Sequence, residues 1–94
     1  MAMTDGDALD EFAFSRHARE EIQRRNIAES EVVAVLRQPE QVVPGHGGLR
    51  VYQSRIPVQG KQFLLRLVVN DAVDPAVVVT VYRTSKIDKY WRSE

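Results

Sequence analysis

Three stretches in the second half of the chain, Leu49 to Val58, Lys61 to Asn70 and Ala76 to Arg83, are rich in β-branched and aromatic residues and separated by short turns. Such runs read as strands. A chain of 94 residues has room for one core, so whatever precedes these strands must pack against the sheet they form. What precedes them is helical. Ser15 reads as an N-cap, followed by Ala18, Ile22 and Arg25 on one helical face and by Glu20/Arg24 and Glu21/Arg25 at i,i+4 spacing. This helix should end near Asn26, a residue that tolerates the left-handed conformation of a C′ position. A second helix is expected from Ala28 or Glu29 to Gln38, with Val32, Val35 and Leu36 at helical spacing and Pro39 forcing the stop. Its cap is weak, since Ala28 stands where Ser or Asp would serve best, and Ser30 offers a start two residues later. Gln41-Val42-Val43 is a short strand candidate and Pro44-Gly45-His46-Gly47-Gly48 a flexible loop. The tail from Thr84 or Ser85 to Trp91 reads as a short C-terminal helix with Ile87, Tyr90 and Trp91 turned inward. Helix, helix, strand meander and terminal helix together specify an α+β domain with an antiparallel sheet of three to four strands. Residues 1 to 12 read as a flexible tail, with Phe12 and Phe14 available for a short strand or an apolar anchor, and residues 13 to 92 as the single domain.

Alternation decides which strand residues face a core. In the middle strand, Phe63, Leu65, Leu67 and Val69 form an apolar set and Gln62, Leu64, Arg66 and Val68 the opposite one. Arg66 should point away from the core. A three-residue turn Val58-Gln59-Gly60, with Gly60 left-handed, would place Arg50, Tyr52 and Ser54 on the face of Arg66, and a two-residue turn would reverse that. In the last strand, a core set of Val77, Val79 and Val81 leaves Val78, Thr80 and Tyr82 on the other face, although the loop before it does not fix the phase. One core should contain Phe63, Leu65, Leu67, Val32, Leu36 and Ile22.

Composition narrows the chemistry. There is no cysteine, which excludes disulfides, thiolate metal sites and cysteine nucleophiles. His17 and His46 lack metal-ligand spacing, the acids do not cluster on strands, and no glycine-rich phosphate loop or serine elbow is present, so no metal or cofactor is expected. The acidic beginning is unlike a signal peptide, and no apolar run approaches membrane-spanning length; a cytoplasmic protein is the expectation. Net charge is zero, yet residues 45 to 92 hold eight basic and three acidic side chains. A cationic side suits a polyanion.

His17, at the second position of the first helix, sits where orphan backbone N–H groups depress a histidine pKa, with Glu21 acting in the opposite sense. It is the first candidate for acid–base work. Arg50 and Arg66 depart from apolar strand patterns and suit a phosphate; Arg66 could equally pair with Glu21 across the fold. Tyr52, Tyr82 and Tyr90 could stack on bases or donate protons. Thr84, Ser85 and Lys86 could contact a phosphate, and Lys89 adds to the basic surface. His46, between glycines, reads as inert.

The segments Phe14-Ser15-Arg16-His17-Ala18-Arg19-Glu20-Glu21-Ile22, Arg25-Asn26-Ile27, Glu31-Val32, Val35-Leu36 and Pro39-Glu40, with the ending Thr80-Val81-Tyr82-Arg83-Thr84-Ser85-Lys86 and Lys89-Tyr90-Trp91, resemble a bacterial family of unknown-function domains. Members of that family are similar to RelE-like and barnase/colicin-type ribonuclease toxins. The resemblance implies a twisted antiparallel sheet with two helices on one face and an RNA cleft on the other, and an antitoxin or immunity protein as partner. It carries His17, Thr80, Tyr82 and Lys86 as site residues. The function expected is a metal-independent endoribonuclease in which the ribose 2′-hydroxyl attacks phosphorus. His17 would be its acid or base. Arg66, Arg50 and Lys86 would stabilise charge, and Tyr82 or Thr80 would position the phosphate. Tyr52, Lys89 and Tyr90 complete the substrate-binding set. The alternatives are a non-catalytic module docking nucleic acid or protein on the same basic face, and a structural protein that dimerises through a strand edge.

Overall fold

The computed structural model describes residues 9 to 93. The first eight residues of the expected tail therefore lie outside the described residues. The elements run β1 (Phe12–Phe14), α1 (Arg16–Arg24), α2 (Glu29–Arg37), β2 (Gln41–Pro44), β3 (Arg50–Val58), β4 (Lys61–Asn70), β5 (Ala76–Thr84) and α3 (Ile87–Tyr90), with one 3-10 turn at His46–Gly48 between β2 and β3. The fold is α+β, but the sheet has five strands in the order β1-β5-β4-β3-β2. It is mixed, because β1 runs parallel to β5 while the other pairs are antiparallel. Of the two roles open to Phe12 and Phe14, a short strand or an anchor, they take both: they form β1 and pack against the core. Within the stretch expected as a tail, the Leu9 amide donates to Leu36 O at 2.9 Å, and Leu9 and Phe12 pack against the core.

Helix α1 begins as its cap dictates, with Ser15 Oγ accepting from the Ala18 amide at 3.0 Å. Asn26 supplies the left-handed exit, at φ 55°. Helix α2 begins at Glu29 with no side-chain cap, and Ser30 does not delay it. Glu21 is 8% exposed and accepts from both Arg24 and Arg25 at 2.6 Å. The expected Glu20/Arg24 pair is replaced by an exposed contact of Arg16 with Glu20. Hydrogen bonds from Arg24 and Arg25 hold the Glu21 carboxyl down from 4.5 to about 2. A depressed carboxyl stabilises the fold above its unfolded pKa, and that contribution drains away as pH falls from about 4.5 through about 2. Thermal melts of Glu21→Gln should start lower at neutral pH and decline less steeply across this acid window than those of wild type. Parallel curves would remove Glu21 from the acid response.

The helices share one core with the sheet: Ala18, Ile27, Val32, Val35 and Leu36 meet Tyr52, Ile56, Leu65, Leu67, Val69, Val78 and Val81, with Ile22 and Phe63 packed at its margin. The β4 alternation holds. Two features of register do not follow the first expectation. The β3–β4 turn has two residues, since Val58 pairs with Lys61, and Gln59 and Gly60 both take positive φ, 50° and 80°, as a type I′ hairpin requires. This turn places Gln53, not Tyr52, opposite Arg66. In β5, Thr80 pairs with Val68 but Val78 with Val69, so Val79 is an extra residue at a β-bulge. The bulge reverses the phase: Val78 and Val81 are both fully buried, and Val77 and Val79 are not core residues. Ser15 spans it, the backbone amide donating to Val78 O and Oγ donating to Val79 O, each at 2.9 Å.

Candidate functional site

On the sheet face away from α1 and α2, one arginine sits among neutral neighbours. Arg66 is 8% exposed. Its Nε donates to Gln53 Oε1 at 2.9 Å and its Nη1 to the Tyr82 hydroxyl at 2.6 Å. The guanidinium carbon lies 4.1 Å from the Tyr90 ring centroid. Among the described residues no carboxylate forms an ion pair with Arg66. Its Nη2 has no acceptor in the chain, and because no buried side-chain nitrogen or oxygen lacks a partner, Nη2 is reached from the adjoining pocket. That pocket encloses about 520 Å³ between Pro44-Gly45-His46, Leu49, Val51 and Val68 on one side and Arg66, Tyr82 and Tyr90 on the other. A shielded cation without a counter-charge is costly, and the missing partner is what an anionic ligand would supply.

The C-terminal segment is part of this site. Gln53 Nε2 donates to Gln41 Oε1 at 2.8 Å and to Tyr90 O at 3.2 Å. Gln41 in turn donates through Nε2 to Arg92 O at 2.6 Å and accepts from the Arg92 amide at 3.0 Å. Tyr82 meets Tyr90 edge to face at 6.5 Å, and Arg55, paired with Glu40 at 3.1 Å, lies 4.2 Å from the Trp91 ring. Two glutamines facing each other across β2 and β3 thus bind the backbone of a segment whose own helix is a single turn.

Of the expected site residues, Arg66, Tyr82 and Tyr90 come together. Thr80 lies on the same face, opposite Val68, and Lys89 Nζ stands 5.3 Å from the Tyr90 ring. Lys86 is exposed just before α3, its backbone amide donating to Thr84 Oγ1. Arg50 and Tyr52 do not join them. The two-residue turn sends both to the helix-covered face, where Arg50 Nε donates to Asp71 Oδ2 at 2.6 Å and the Tyr52 hydroxyl to the same oxygen at 2.9 Å. Burial, reinforced by Asp71, pushes the Tyr52 hydroxyl up to about 12, which suits a structural tie and not a proton donor. His17 is exposed on α1, beside the core residue Ala18, and does not line the Arg66 pocket. Glu21 is engaged by its own helix and leaves Arg66 unpaired.

Two residues of the pocket and its supports were not in the expected set. His46 is carried into the pocket by the turn after β2, and Gln53 is fully buried as the link between Arg66 and Tyr90. A histidine with a glycine on either side gave no signal of its own, but a glutamine inside an apolar strand could have been flagged as a buried polar group needing partners. Among the described residues no group of three His, Cys, Asp or Glu could hold a metal, and no helix is long and apolar enough to cross a membrane.

Comparison with protein families matches residues 14–83 to a domain of unknown function (DUF4258). The match takes in both helices and all of β2 to β4, and ends at Arg83, before Lys86, Lys89 and Tyr90. No curated protein and no solved structure matches the chain.

Proposed function

The chain belongs to the DUF4258 family of domains of unknown function, and from that premise we propose that it is a metal-independent endoribonuclease whose site is the Arg66 pocket. The observation that carries this reading is the shielded, uncompensated guanidinium of Arg66, hydrogen-bonded to Tyr82 and bordering a pocket that also holds His46. Helices on one sheet face and a cationic pocket on the other support kinship with RelE-like and barnase/colicin-type ribonuclease toxins. On this reading the chain acts in the cytoplasm and is held in check by an antitoxin or immunity protein.

The chemistry follows from the residues. The RNA 2′-hydroxyl attacks the neighbouring phosphorus while its proton passes to the His46 imidazole. The bond from phosphorus to the 5′-oxygen breaks, and that oxygen takes a proton from the Tyr82 hydroxyl, which Arg66 orients. Arg66 stabilises the charge gathering on the phosphorane oxygens. The products are a 2′,3′-cyclic phosphate and a 5′-hydroxyl.

RNA should be cut in EDTA and leave those ends. Loss of a general acid or base typically slows a reaction by about 100- to 10,000-fold, so His46→Ala should fall by that order while His17→Ala keeps the wild-type rate. Equal cleavage by His46→Ala would refute its role, and loss in His17→Ala instead would move the site to α1. One observation favours a second reading: among the described residues the His46 side chain has no hydrogen-bond partner to orient it. A non-catalytic nucleic-acid-binding module would bind RNA with a steep salt dependence and cut none.

A further inference from the structure

We infer that the Arg66 pocket accepts one unstacked nucleotide as a self-sufficient ligand, so that a free nucleoside monophosphate binds there without the rest of an RNA chain. This rests on the proposal that the pocket is an RNA site and adds what the site encloses. The first argument is charge. Nη2 of Arg66 lacks an acceptor, and the other ring of contacts around the guanidinium, Gln53, Tyr82 and Tyr90, is neutral. A phosphate is an anion whose oxygens fit that guanidinium edge.

The second argument is shape. A pocket of about 520 Å³ lies within the range of about 300–1,000 Å³ usual for small-molecule sites, which exceeds what a bare anion needs. Leu49, Val51 and Val68 line it beside His46 and offer apolar surface to a planar base. The third argument is depth. With Arg66 only 8% exposed and the apolar wall beside it, a base held in a stack cannot reach that wall while its phosphate contacts Nη2. A nucleotide must leave its stack to enter, and once it has done so its neighbours in the chain add little to the pocket contacts.

The test is calorimetric titration of the whole protein with adenosine 3′-monophosphate, with adenosine and with inorganic phosphate, alongside NMR of the tyrosine rings. The nucleotide should bind at least about tenfold more tightly than either fragment, as one charge-assisted contact added to one apolar contact implies, and should shift the Tyr82 and Tyr90 ring signals. Leu49→Glu places a carboxylate in the pocket at a half-buried position that tolerates polarity, and should abolish binding while circular dichroism and melting stay near wild type. Arg66→Gln should do the same, with Leu49→Glu deciding the matter if that variant fails to fold. Phosphate binding as tightly as the nucleotide, or no binding by any probe, would overturn the inference. Nucleotide binding without RNA cleavage would leave the inference standing and remove the nuclease proposal. Cleavage that excess nucleotide does not inhibit would separate the two the other way.

Discussion

On the proposed nuclease reading, Arg66→Lys should slow RNA cleavage by about 100-fold although the positive charge is kept. A guanidinium donates in one plane from several nitrogens, and here Nε holds Gln53 while Nη1 holds Tyr82. An ammonium is a compact point charge on a flexible stem and cannot serve both acceptors and the pocket together. One of three tasks is therefore dropped: holding Gln53, and through it the Tyr90 carbonyl, orienting Tyr82, or contacting phosphate. Removing a single preorganised donor from a developing oxyanion costs about 100- to 1,000-fold in hydrolases, which sets the scale. Initial rates on a labelled RNA, with melting temperature as the control for folding, measure the effect. A lysine variant within a few-fold of wild type would mean that charge alone is used and that the fork geometry is incidental.

Leu67→Ala should cost about 3 kcal/mol of stability, within the range of about 2–5 kcal/mol for truncating a buried leucine. Leu67 is fully buried on β4, flanked across the sheet by Tyr52 and Val81 and sharing its core with α2. The strands on both sides are hydrogen-bonded to β4, so the cavity has little freedom to close. For a domain of this size each kcal/mol shifts the melting temperature by about 4–8 °C, giving a drop on the order of 15 °C. Val68→Ala, one residue along but half-buried on the other face, should cost less than about 1 kcal/mol. Urea unfolding of the two variants would check the assignment of faces directly; similar losses would contradict it.

The contrast between these neighbours was legible in the chain before any coordinates, and so were most element limits. Ser15, Asn26 and Pro39 act through local backbone chemistry, which sequence displays. The phase of β4 was legible too, because its four apolar residues alternate without interruption. What was hidden depends on single-residue differences in length. Whether the hairpin has two or three turn residues turns on Gln59 accepting a positive φ, and no feature of Gln59 announces that. The choice sent Arg50 and Tyr52 to the helix side and brought Gln53 to Arg66. The place of His46 beside the pocket was hidden for the same reason, since the side on which its loop lands follows from how β2 and β3 pair. The parallel pairing of β1 with β5 joins segments more than sixty positions apart, beyond the reach of any local pattern.

The extra residue at Val79 gives β5 one position of slack in length that is independent of side-chain identity. Upstream of it, even-numbered positions face the helices; downstream, odd-numbered ones do. Many substitutions between Val77 and Val81 would be absorbed as changes of volume. Deleting Val79 would instead make the strand regular with both faces kept, because Val78 and Thr80 already oppose the adjacent residues Val69 and Val68, so Val81 would stay inward and Tyr82 toward Arg66. The sheet could still form, and the Ser15 latch would lose one of its two carbonyls. A one-residue loss at the bulge would thus spare the two faces of the sheet and fall on the link between β5 and the start of α1.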